Sequence, residues 1–191
     1  LVRTLASFGA YYARWSLVWE SQALLRAEPV AGDPALGARF MALVDPLRYP
    51  AGGLTEADIR EIRRIKARVE AERLPRGADP ATHTKLGPGG LADVEWTAQL
   101  LQLRHAGEQP DLRTTRTLDA LAAAASHGLI DPADAETLAL AWRLASRVRS
   151  AIVLVRGRPD DSLPKDQRDL ERVARVAGYP PGSATDLVED Y

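Results

Sequence analysis

The chain has 191 residues with 46% hydrophobic and 27% charged content, enough for one large domain or two small ones with a buried core. Its formal net charge of −1 lacks the excess of base that nucleic-acid binding through phosphates needs, and the absence of cysteine excludes disulfides, thiolate nucleophiles and cysteine-held zinc. No apolar run reaches the ~18 residues of a membrane span and no signal-peptide pattern opens the chain, so it reads as cytoplasmic, with no membrane or nucleic-acid partner.

Strand signals are nearly absent; the one candidate, Ile152-Val153-Leu154-Val155, continues a helical pattern. The first expected helix runs from about Ala10 to Arg26, with Tyr11, Trp15, Val18 and Leu25 on one face and Tyr12 and Trp19 beside them. So aromatic a face predicts burial. Asp33-Pro34 offers a cap and a first-turn proline for a helix to about Leu47. After Pro50-Ala51-Gly52-Gly53, Thr55 with Asp58 three residues on opens another, striped by Ile59, Ile62, Ile65 and Val69. Residues 74–90 then form the longest connection without regular structure, a length that favours function.

The helix expected from Leu91 to about His105 is apolar on two sides: Leu91, Val94, Ala98 and Leu101 on one, Trp96, Leu100 and Leu103 on the other. Polar stripes lie between them, Glu95-Gln99-Gln102 and Asp93-Thr97-Arg104. This pattern predicts packing on two sides, with the polar stripes facing partners, water or a cleft. An alanine-rich helix from Thr117 to His127 follows, then a long one from Asp131-Pro132 to near Gly157. A polar loop from Arg158 to Pro164 leads to a helix through Arg175, and Pro180-Pro181-Gly182 precedes a last helix capped by Ser183. The expected fold is all-α, a multi-helix bundle of mostly antiparallel helices.

The chemistry concentrates in Lys85-Leu86-Gly87-Pro88-Gly89-Gly90-Leu91-Ala92-Asp93-Val94-Glu95-Trp96. A flexible turn running into a helix N-terminus can present amides and the positive end of the helix dipole to phosphate. It can equally be a plain tight turn whose Asp93 and Glu95 offset the dipole. Gly-Gly ahead of Asp-x-Glu imitates a magnesium-binding nucleotidyltransferase motif, but such a pair must sit on a strand to point the same way. On a helix Asp93 and Glu95 lie about 160° apart and cannot share one ion in the ordinary manner, so no metal site is expected. His83, His105 and His127 lack ligand spacing and read as bystanders. A second constellation is Gln22 and Arg26, one helical turn apart among the aromatics. Arg26 either stacks on indole rings and ties to a carboxylate, or points into a polar cleft beside them.

In this order, Trp19-Glu20-x-Gln22-Ala23-Leu24-x-Arg26-Ala27, Gly32-Asp33, and Lys85-Leu86-Gly87-x-Gly89-Gly90-Leu91-x-Asp93-Val94-Glu95-Trp96 with Gln99 resemble the bifunctional glutamine synthetase adenylyltransferase/adenylyl-removing enzymes. Members of that family carry two nucleotidyltransferase domains, each followed by a helical domain. The resemblance implies that residues 1–7 are the remnant of a nucleotidyltransferase domain and 8–191 a helical bundle, its last helix (183–191) truncated. The opening at Leu1 and the ending inside an expected helix suggest the same excised piece. Ala92-Asp93 after the glycine turn points to the C-terminal, adenylylating half.

The Mg2+ and ATP of the family are then held upstream, leaving no catalytic residue in this piece, which should be inactive alone. Lys85, Gly89, Gly90, Asp93 and Glu95 become nucleotide-proximal candidates, with Gln22, Arg26 and Gln99 in support. The implied partners are glutamine synthetase, a PII-type signalling protein and the chain's own nucleotidyltransferase domain. The competing readings are a non-catalytic module that docks glutamine synthetase or the PII-type protein and, third, the helical domain of a related uridylyltransferase. A cleft lined by Arg26, Lys85 and Glu95 favours the first, an exposed apolar patch elsewhere the second.

Overall fold

The computed structural model describes residues 2–191. Its regular structure among these residues is helical throughout, joined by a single isolated antiparallel bridge between His83 and Ser162. Two compact units share the chain: residues up to Ala67 with Thr97–Ile130, and Arg68–Trp96 with Asp131–Tyr191.

The first unit opens with α1 (Leu5–Trp15), whose first turn is capped by Thr4 accepting from the Ser7 amide at 3.2 Å. The single helix expected over residues 10–26 is in fact two. Ser16 is extended (φ −62°, ψ 138°), and α2 (Val18–Leu24) starts afresh. Glu20 provides the physical cause: its Oε2 accepts from the Leu17 amide at 2.9 Å and its Oε1 from the Tyr11 hydroxyl at 2.8 Å, capping the new helix. Because the break re-aims the chain, the expected buried aromatic face does not form. Trp15 is 60% and Trp19 47% exposed, while Leu25 and Gln22 are buried. α1 buries no residue at all.

Asp33 caps α3 (Pro34–Arg48), accepting from the Ala35 amide at 2.8 Å. Near its end the buried Arg48 donates to the Ala27 carbonyl and pairs with Asp45 at 2.8 Å, so its charge is compensated. α4 (Glu56–Arg73) begins with a reciprocal cap in which Thr55 Oγ1 accepts from the Asp58 amide and Asp58 from the Thr55 amide. Its Ile59 and Ile62 are buried. α5 (Leu91–His105) contributes its part from Thr97 to this unit, together with α6 (Thr117–Ser126).

The coverage expected on both sides of α5 is present: no residue from Leu91 to Leu103 is exposed. Its polar stripe meets partners. Gln102, buried, donates its amide to the carbonyls of Leu112 and Thr114, each at 2.7 Å, satisfying groups that would otherwise be lost to water.

In the second unit, Asp131 caps α7 (Pro132–Arg156), and Gly157 ends it in the left-handed conformation at φ 65°. The β-branched run around Ile152 stays helical. Val148, Ala151 and Ile152 pack with Leu163, with Val173, Ala174 and Ala177 from α8 (Gln167–Val176) and its end, and with Leu187 of α9 (Ala184–Asp190). Ser183 does not cap α9 with its side chain; the neighbouring Gly182 amide instead donates to Glu171 Oε1 at 2.6 Å.

Candidate functional site

The connection between α4 and α5 is tightly built although it lacks regular structure. Asp79 caps a single 3-10 turn, Pro80–Thr82, and the chain then enters the buried pair His83-Thr84. His83 Nδ1 accepts from the amides of Leu86 (3.0 Å) and Lys85 (3.3 Å), bending the backbone back on itself. Thr84 donates twice to the Asp161 carbonyl, from its amide at 2.6 Å and its hydroxyl at 2.9 Å. The Leu163 amide returns a bond to the Thr82 carbonyl at 3.0 Å. The loop after α7 is therefore fastened to the glycine turn.

Gly87 and Gly90 are glycine for packing reasons. A Cβ on Gly87 would sit 2.1 Å from the Pro80 carbonyl oxygen, and one on Gly90 2.9 Å from that of Gly87. Gly89 has open space around it but takes φ 71°, which side chains disfavour. The amides entering α5 have internal acceptors: Gly89 on Asp93 Oδ2 (2.9 Å), Gly90 on Gly87 O (2.9 Å), Leu91 on Thr84 O (3.0 Å) and Ala92 on Lys85 O (2.9 Å). Asp93 thus acts as a cap, and the turn spends these amides on holding its own shape. What it offers outward is Lys85, whose side chain is exposed beside the exposed Pro88 and Gly89. Glu95 is half-buried one turn further on.

Two ion pairs brace the loop after α7. Arg149 of α7 donates to the Asp161 carboxylate, and Arg156 to that of Asp160. Burial works against the Asp160 charge, but the Ser162 amide and Arg156 together hold its carboxyl below the usual carboxylate range. Asp93 also bears on Tyr191, whose phenol is pushed up to about 12 by burial and then by that carboxylate.

The residues singled out in the sequence divide between the units. Lys85, Gly89, Gly90, Asp93 and Glu95 lie in the second, and Gln22, Arg26 and Gln99 in the first. Within the first, Gln22 Nε2 donates to Gln99 Oε1 at 2.8 Å, and Arg26, just beyond α2, donates to Thr117 Oγ1 at 3.4 Å. Among the described residues no three His, Asp or Glu side chains gather as a metal site, and Asp93 already serves the Gly89 amide. The donor set does not fit magnesium. Thr84, Arg149 and Asp161 carry no mark in the sequence, and His83, which lacks metal-ligand spacing, shapes the turn through its Nδ1. Nothing local marks Thr84 and Asp161 as partners, since 77 residues separate them.

A family model described as GlnD PII-uridylyltransferase matches residues 61–191, and one described as glutamate-ammonia ligase adenylyltransferase matches residues 1–43. Curated proteins named bifunctional glutamine synthetase adenylyltransferase/adenylyl-removing enzyme are similar along the chain. Those of Streptomyces avermitilis and Streptomyces coelicolor are 64% and 63% identical, and that of Mycobacterium leprae 56%, each over 100% of this chain. The chain spans 19% of the length of these relatives. With residues 61–191, more than half of its length, matched by that first model, the chain belongs to the GlnD PII-uridylyltransferase family.

Proposed function

We propose that this chain is a helical part of a cytoplasmic enzyme that transfers AMP from ATP to a tyrosine of glutamine synthetase, and removes it again, to regulate nitrogen assimilation. It comes from the C-terminal, adenylylating half. Residues 1–7 continue from a nucleotidyltransferase domain, and 8–191 form the helical domain that accompanies it. Mg2+ and ATP belong to that catalytic domain. The contribution of this chain is to build and hold the rim of the nucleotide site.

The observation that carries the reading is Lys85, exposed on a turn whose neighbouring amides all have internal acceptors. A compact ammonium held on a fixed backbone can offset phosphate charge without reorganising. Gly89 and Gly90 keep the turn close to the nucleotide, and Asp93 keeps it folded. Glu95 orients groups at the rim. Within the first unit Gln22, bonded to Gln99, supports α5, and Arg26, bonded to Thr117, ties to the start of α6. The test is Lys85→Ala and Glu95→Ala in the full-length enzyme, following AMP incorporation into glutamine synthetase. Turnover should fall about tenfold or more, equivalent to ~1.4 kcal/mol in the barrier, with the fold intact by circular dichroism. Unchanged turnover in both variants reduces the motif to a structural turn.

A second reading has one observation in its favour. Trp15, Leu17 and Trp19 are exposed on α1, α2 and the break between them, and exposed aromatic surface suits docking. Under this reading the chain binds glutamine synthetase or a PII-type signalling protein and touches no nucleotide. Trp15→Ala with Trp19→Ala would then weaken capture of either protein, while Lys85→Ala would leave transfer unchanged.

A further inference from the structure

We propose that Asp161 and Arg149 are positioning residues for Lys85, fixing from α7 the place where its ammonium is presented; the inference rests on the phosphate-facing role proposed for Lys85. Residue 85 is held on both sides. Before it, Thr84 is wholly buried and gives both of its donors to the Asp161 carbonyl. After it, the Lys85 carbonyl accepts from the Ala92 amide at 2.9 Å, inside the first turn of α5. The position of the lysine backbone therefore follows the position of Asp161.

Asp161 is itself anchored. Its carboxylate accepts from Arg149 Nε, carried by the C-terminal half of α7, and that Asp161 side chain is only 27% exposed. On either side, Arg156 pairs with Asp160, while the Leu163 amide bonds to Thr82 and the Leu163 side chain enters the core with Val148 and Ile152. The chain of contacts runs from α7 through Arg149, Asp161 and Thr84 to Lys85, all within the second unit. A turn needed only to connect α4 to α5 could end at His83 and Gly87, whose bonds close it locally. The extra fastening across 77 residues holds the segment that carries the exposed cation. Small displacements of a charged group at a reacting centre are costly, so such a fastening has a kinetic consequence.

The experiment uses the full-length enzyme with Asp161→Ala, Arg149→Ala and Thr84→Val, each alone and with Lys85→Ala, measuring kcat and KM for ATP. Thr84→Val removes the hydroxyl donor while filling the same space, and circular dichroism shows that each variant is folded. The expected result is a fall in kcat of about fivefold or more in each single variant. Asp161→Asn, whose amide oxygen can still accept from Arg149, should recover part of the loss. Each double variant should be no slower than Lys85→Ala alone, because the anchor acts through the lysine. Wild-type kcat in Asp161→Ala, or double variants that lose the product of the two single effects, would overturn the positioning role. A slow Lys85→Ala beside an unchanged Asp161→Ala removes only this inference; an unchanged Lys85→Ala removes the reading beneath it as well.

Discussion

Trp15 on α1 and Ile152 on α7 occupy equivalent places in the sequence, each an apolar position on a helical stripe, and they end in opposite environments. Ile152 is fully buried among Val148, Leu163, Val173 and Leu187, whereas Trp15 is 60% exposed. The stripe of α7 is met by stripes on α8 and α9, which the chain brings back against it after Gly157 and Gly178. α1 spans 11 residues, buries none of them, and gives way at Ser16 to a helix with its own cap. A stripe states which side of a helix is costly to leave in water. Whether that side is covered depends on what the rest of the chain delivers to it.

Ile152→Ala should do the most damage, destabilising the chain by ~2–5 kcal/mol in urea unfolding, because it empties a fully packed position. A loss below about 1 kcal/mol would break the contrast with α1. Alkaline titration comes next. The phenols of Tyr179 and Tyr191 are both raised from 10.0 to about 12, first by burial, then by the Asp190 bond for Tyr179 and the Asp93 charge for Tyr191. Between pH 10 and 12 the unfolded chain has released protons that the folded chain keeps. Stability should therefore be complete below pH 10 and fall from there to about 12. A melting temperature that stays level across that window, or falls equally in Tyr179→Phe with Tyr191→Phe, would contradict it.

Glu20→Ala should cost ~1 kcal/mol, since one carboxylate holds both the Leu17 amide and the Tyr11 hydroxyl. Continuous helical amide protection across residues 15–18 in this variant would show that Glu20 alone sets the break. Trp15→Ala should be the mildest change, within ~0.5 kcal/mol, for want of buried area to lose. A cost approaching that of Ile152→Ala would show the indole to be covered in solution.

Much of the helical plan was legible. Asp33-Pro34, Thr55 with Asp58, and Asp131-Pro132 place the starts of α3, α4 and α7 because caps and first-turn prolines act within three residues of where they stand. The double apolar face of α5 announced packing on two sides. The candidate site was legible only in part. Lys85 and the three glycines stand out by composition, but the internal bonding of the amides at Gly89 to Ala92 depends on where Thr84 and Gly87 point their carbonyls. His83 looked idle because an isolated histidine carries no sign of which backbone groups will approach its ring.

By itself the sequence determined the helices after the first, the caps at Asp33, Thr55 and Asp131, the lack of strands among the described residues and the resemblance to a family, since periodicity, capping and motif spacing are written over short stretches of chain. Only the tertiary structure decided that Trp15 and Trp19 would face solvent, that α1 and α2 would part at Ser16, and that Asp161 would fasten Thr84. Hydrogen bonds between distant segments have no period and no local composition. They exist only once packing has brought their donors and acceptors to within about 3 Å of one another.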